Sequence, residues 1–127
     1  GDRNCVYEYK TITTTTTKMH LTPGETVAFW NPTAKKFLRM HGDKVDTSTS
    51  HSSNLPHQWT YERFTVVDTG IDAEIALHNY VHDRFVKVLG STLMTTDKMA
   101  AKDLPSDPTL IRFRVVMGGD GRFGLYN

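Results

Sequence analysis

The sequence predicts an all-β domain assembled from internal repeats, and three observations carry the prediction. The first is self-similarity at a spacing of 48 residues: Val27-Ala28-Phe29-Trp30-Asn31, then Ile75-Ala76-Leu77-His78-Asn79, then Phe123-Gly124-Leu125-Tyr126-Asn127. A fixed period of this length marks one supersecondary unit written several times. The second is that no segment sustains a 3.6-residue apolar period, whereas short runs alternate as strands do. The third is punctuation at regular intervals by Asn31-Pro32, Gly42-Asp43, Asp68-Thr69-Gly70 and Gly118-Gly119-Asp120-Gly121, all residue types that favour turns.

Composition narrows the class. The 127 residues suit one domain with a real core. A formal charge of +1 gives no general attraction to nucleic acid or to an anionic membrane. No apolar run approaches the roughly 18 residues that cross a bilayer, so membrane contact is expected only through a partner. Residues 1–10 carry no apolar stretch of the signal-peptide kind, and the compartment stays open, an organellar or complex-bound place included. The single cysteine, Cys5, excludes a disulfide framework within this chain.

Taken in order, residues 1–26 form an extension ahead of the repeats. Cys5, Tyr7 and Tyr9 alternate with Val6, Glu8 and Lys10, the pattern of a short strand. Residues 11–17 are threonine apart from Ile12, which favours extended backbone. Pro23-Gly24 is a turn. The repeat domain spans 27–127, with units 27–74 and 75–122 and the start of a third at 123–127. In the first unit, strands are expected at 27–31, 37–40, 45–48 and 59–67. The second repeats them at 75–79, 85–88, around Leu93, and at 111–116. Residues 95–103 could add one or two helical turns.

Two matches align the units beyond their first strands. Lys36-Phe37-Leu38 corresponds to Arg84-Phe85-Val86, and Glu62-Arg63-Phe64-Thr65-Val66-Val67 corresponds to Ile111-Arg112-Phe113-Arg114-Val115-Val116. Four strands per unit, with Ile75-Ala76-Leu77 leading to Arg84-Phe85-Val86 and ending in Gly90, resemble the β-trefoil, and within it the fascin-like and agglutinin-like trefoils. The strands at 62–67 and 75–79 are also similar to trefoil-repeat proteins of unicellular algae. The resemblance implies two clear four-stranded repeats, an incomplete third, and a binding role. Three full units need 144 residues, and 101 follow residue 26. Residues 7–17 could supply part of the third unit, although counting then places Thr16 where Phe64 and Phe113 stand. The expectation is an unclosed barrel with exposed edges that seeks a partner.

Candidate binding residues come from comparing the repeats. Trp30, His78 and Tyr126 occupy one equivalent position, next to Ala28, Ala76 and Gly124. If Val27 and Phe29 face inward these rings face outward, where amphipathic rings suit sugar stacking or a protein contact; the alternative is that they cover the barrel end. Arg39 and Lys87 head a basic column with Lys36, Arg84, Arg63 and Arg112, which could meet acidic groups or simply be a solvated face, with Glu62 among the acids offsetting it. Gln58-Trp59 lacks the spacing of the Gln-x-Trp sugar motif of ricin-type lectins, so Trp59 reads as a core-edge aromatic. His78, His82 and Asp83 lie close in sequence, without the four-ligand pattern of structural zinc. Neither Cys5 nor Ser91 has a base placed beside it. No cofactor, metal or catalytic residue is therefore assigned.

The functional expectation is a non-catalytic docking module, an accessory protein-binding subunit of a larger assembly. The algal resemblance extends this to a peripheral subunit of a photosynthetic complex. A lectin using Trp30, His78 and Tyr126 is the alternative, and actin bundling follows from the fascin resemblance alone.

Overall fold

The structure is a computed structural model that describes residues 5–11, 21–117 and 123–127. Among these residues it contains strands and turns and no helix. The strands are β1 (Cys5–Thr11), β2 (Thr26–Val27), β3 (Phe29–Asn31), β4 (Lys36–His41), β5 (Lys44–Thr47) and β6 (Phe64–Asp68). They continue with β7 (Glu74–Asn79), β8 (Arg84–Leu89), β9 (Thr92–Thr95), β10 (Phe113–Met117) and β11 (Phe123–Tyr126).

Every pairing is antiparallel, and the pairings close on themselves. β1 pairs with β11 and β3. β2, separated from β3 only by Ala28, pairs with β6, which pairs with β7. β7 pairs with β10, and β10 returns to β11. Two hairpins project from this ring. β4–β5 follows β3, β8–β9 follows β7, and the two touch at Lys44 opposite Met94.

The closure departs from the expectation of an open barrel. β1, from the N-terminal extension, fills the gap between β11 and β3. Its backbone register repeats that of the other units: Val27 pairs with Phe64, Ile75 with Phe113, and Phe123 with Tyr9. Thr16 lies outside the described residues. Counting by unit length missed this because strand addition needs only an extended segment at unpaired edges, not a conserved spacing along the chain.

Local bonds recur at the same spacing as the sequence. Lys35 N–H donates to Asn31 O (2.7 Å) and Asp83 N–H to Asn79 O (2.8 Å), each with φ 56° at the donor residue. A left-handed non-glycine residue needs local support, and both turns obtain it from an asparagine. Asn31 Oδ1 accepts from the amides of Thr33 and Ala34, and Asn79 Oδ1 from those of Val81 and His82. The hairpin bases are held alike. Ser48 Oγ accepts from Phe37 N–H (3.0 Å) and Thr96 Oγ1 from Phe85 N–H (3.1 Å).

The main core lies inside the ring, where Phe29, Phe64, Leu77, Val86, Phe113 and Leu125 are buried together. A second cluster of Ala76, Phe85 and Ile111 covers the opposite face of β7. β7 is consequently buried along its whole length, so the expected outward face at His78 is an inward one. Strands with both faces covered do not show polar alternation. The expected strands at 59–67 and 111–116 begin later, at Phe64 and Phe113, and their first residues form turns instead. Thr95 ends β9, and residues 96–103 form bends and a turn, closed by Asp103 N–H to Ala100 O.

Phe64 and Phe113 are fully buried at matching places in the core. Phe64→Ala and Phe113→Ala are each expected to remove about 3–5 kcal/mol of stability, measured by urea denaturation.

Candidate functional site

The turn before β6 carries the chemistry. Its backbone is set by Trp59 N–H to Pro56 O (3.1 Å), Thr60 N–H to Gln58 O (3.0 Å) and Arg63 N–H to Thr60 O (3.2 Å). The buried side-chain amide of Asn79 then clamps it. Asn79 Nδ2 donates toward Thr60 O, Tyr61 O and Arg63 O at 3.1–3.3 Å. Asn127 Nδ2 makes the corresponding bonds to Thr109 O and Arg112 O in the second copy. Met40 N–H to Tyr61 O (2.9 Å) and Val88 N–H to Leu110 O (2.7 Å) complete the equivalence. The two turns thus share a scaffold, and their side chains can be compared one by one.

They differ sharply. Gln58, Trp59, Tyr61 and Glu62 of the first copy stand where the second has Asp107, Pro108, Leu110 and Ile111. On the adjoining hairpin, Arg39 opposite Asp46 stands where the second has Lys87 opposite Met94. The first-copy residues Arg39, Ser48, Gln58, Trp59, Tyr61 and Glu62 line a groove of about 420 Å³, within the usual size range of small-molecule sites.

Glu62 is the anomaly. The residue is only 5% exposed, at the place where Ile111 is 3% exposed. Burial pushes its carboxyl pKa up, while its own backbone amide and the charges of Arg39 and Arg63 oppose the rise. Among the described residues no side chain hydrogen-bonds it. Arg63 is turned elsewhere, its Nη2 donating to Pro56 O (3.0 Å) and His57 O (3.3 Å). A buried carboxylate on an apolar position destabilises a fold, and such exceptions concentrate at functional sites.

The rest of the groove is organised around it. Arg39 forms a two-pronged pair with Asp46, Nε to Oδ1 at 2.8 Å and Nη2 to Oδ2 at 2.7 Å. The pair raises the Arg39 pKa and lowers that of Asp46. The exposed ring of Tyr61 lies against that of His82 (centroids 4.5 Å) and near that of His41 (6.1 Å). Burial lowers the His82 pKa, and its Nε2 faces the Gly42 amide at 3.4 Å. Trp59 is half-buried, its ring 5.0 Å from that of His51.

The residues singled out from sequence do not gather at one place. Trp30 Nε1–H donates to His51 O (3.1 Å), and His78 Nε2 bonds Met99 O (2.9 Å). This one bond, made twice, ties the loop after each hairpin to the ring. His78 is 3% exposed, edge-on to Phe85, with Nε2 3.3 Å from Asp83 Oδ1. Tyr126 is half-buried on β11. Lys87 is half-exposed in the second copy, and only Arg39 of the five lines the groove. Sequence reasoning missed Trp59, Tyr61 and Glu62. Their signal was the contrast between Glu62-Arg63-Phe64 and Ile111-Arg112-Phe113.

A larger cavity of about 580 Å³ lies at the β6–β7 turn, where Asp68 and Glu74 serve the fold. Asp68 accepts from the Gly70 amide, and Glu74 pairs with Arg112 at 3.4 Å. Among the described residues no group of three His, Cys, Asp or Glu side chains is arranged to hold a metal ion, and no helix is long and apolar enough to cross a membrane. Neither a protein-family model nor a curated protein matches this sequence, so the reading of the groove rests on its own chemistry.

Two expectations follow. Asn79→Ala removes the side-chain donor shared by three carbonyls, Thr60 O and Tyr61 O keeping only their backbone donors, and should destabilise the protein by about 2 kcal/mol in urea denaturation. Glu62→Ile, copying the second unit, should raise stability at neutral pH. A carboxyl whose folded pKa is raised contributes stability below its unfolded value of about 4.5 and loses it as pH rises through the folded value. The gain from Glu62→Ile should therefore be larger at pH 7 than below pH 4.5.

Proposed function

We propose that this chain is a non-catalytic binding module on a β-trefoil framework, and that its ligand is a carbohydrate held in the first-copy groove. The framework reading is supported by a closed ring of paired strands, two projecting hairpins, and hydrogen bonds that recur at the sequence period. Functional breadth on such a framework is expected to reside in loops, where binding residues can vary without disturbing the core.

One observation carries the ligand reading: two aromatic rings, a buried carboxylate and a braced guanidinium replace leucine, proline, isoleucine and lysine on the same scaffold. A pyranose presents an apolar C–H face and a rim of hydroxyls. Trp59 and Tyr61 offer amphipathic faces to the first. Glu62 accepts from hydroxyls, and Arg39 donates to them with its remaining N–H groups, its plane fixed by Asp46. Groups that are already oriented bind with less loss of freedom.

Docking onto another protein is the second reading. It is favoured by Leu89 and Leu110, 55% and 42% exposed where the first copy has His41 and Tyr61. Among the described residues nothing singles out actin or a photosynthetic assembly as that partner.

Retention on a glycan array tests the carbohydrate reading. Trp59→Ala should weaken binding by about tenfold or more, with melting temperature nearly unchanged. Trp30→Ala should instead lower the melting temperature, because Trp30 anchors a loop. Absence of any retained glycan would overturn this reading and leave protein docking.

A further inference from the structure

We infer that the preferred ligand of this groove is an amino sugar with a free, positively charged amine, bound through Glu62, in preference to the neutral or N-acetylated sugar. The inference rests on the carbohydrate reading and adds the ligand's charge to it.

The argument begins with the charges that face the groove. Arg39 and Asp46 neutralise one another through two short hydrogen bonds. Beside that pair, His41 Nδ1 lies 3.9 Å from Asp46 Oδ2, the oxygen that accepts from Arg39 Nη2. Arg63 lines none of the groove and spends its Nη2 on two backbone carbonyls. Glu62 is left as the carboxylate of the wall that no side chain hydrogen-bonds among the described residues, the residue nine-tenths buried and its charge met only by its own backbone amide and by the nearby charges of Arg39 and Arg63.

A buried carboxylate gains most from a donor that also carries charge, because the pair then relieves the electrostatic cost that a neutral hydroxyl leaves in place. An ammonium group supplies several N–H donors and a full positive charge. An N-acetyl group supplies one neutral N–H and an added carbonyl that would face Glu62. A uronate or sialate adds a second negative charge beside the first. Aromatic neighbours favour the cation as well, since ring faces attract it. Trp59 and Tyr61 both line the same groove, so the C–H face and the amine of one sugar have complementary walls. The second copy, with Ile111, Leu110 and Pro108, offers none of this.

Isothermal titration of the full chain near neutral pH separates the outcomes, using the glucosamine tetramer, the N-acetylglucosamine tetramer and a glucose tetramer as probes. The glucosamine tetramer is expected to bind about tenfold tighter or better than the other two, with one site per chain. Glu62→Gln is expected to bring the three affinities close together while the protein stays folded, a change that loss of packing alone would not produce. Equal binding of all three by the native protein, or a preference for the acetylated form, would overturn the inference and leave the carbohydrate reading standing. Binding of none of the three, together with an empty glycan array, would overturn both. A preference for the amine that survives in Glu62→Gln would show simple surface charge attraction and would also overturn the assignment to Glu62.

Discussion

The side-chain amide of Asn79 is the contact on which the groove depends. It is fully buried, its nitrogen bonds three carbonyls of the turn before β6, and its oxygen caps the turn between β7 and β8. One residue therefore fixes both the backbone beneath Trp59, Tyr61 and Glu62 and the turn that brings His82 against Tyr61. Buried amides that satisfy all their bonds rigidify what surrounds them. The turn can then carry unusual side chains because its backbone is held from below, independently of what those side chains do.

Glu62 shows the resulting division of labour. The same scaffold in the second copy holds Ile111, and the core there gains apolar burial. In the first copy a carboxylate takes that place, with its pKa raised by burial. The destabilisation is local and is offset by the phenylalanine core shared by both copies, Phe64 and Phe113 above all. Two copies of one scaffold let one of them depart from the best packing without losing the fold.

Much of this was legible in the chain. The spacing of Val27, Ile75 and Phe123, the glycines at 42 and 90, and the asparagines at 31, 79 and 127 all mark positions that the backbone geometry requires. Gly42 and Gly90 both take φ 66°. Ring closure was only partly legible: residues 7–17 offer a strand for the third unit, but counting puts Thr16 rather than Tyr9 at the Phe64 position, because the pairing of Tyr9 with Phe123 joins segments at opposite ends of the sequence. His78 was misplaced because alternation assumes a strand with one wet face, and β7 has none. The contrast of Glu62 with Ile111 was visible, yet Glu62 reads in sequence as an acid offsetting nearby bases. Only the turn that buries it reveals an exception.

Amide hydrogen exchange with and without the glucosamine tetramer tests the central claim, that one of two equivalent turns is the binding site. Slower exchange on ligand addition at residues 58–62, with residues 107–111 unchanged, is the predicted result. Unchanged exchange at 58–62, or protection centred on Leu89 and Leu110, would contradict it.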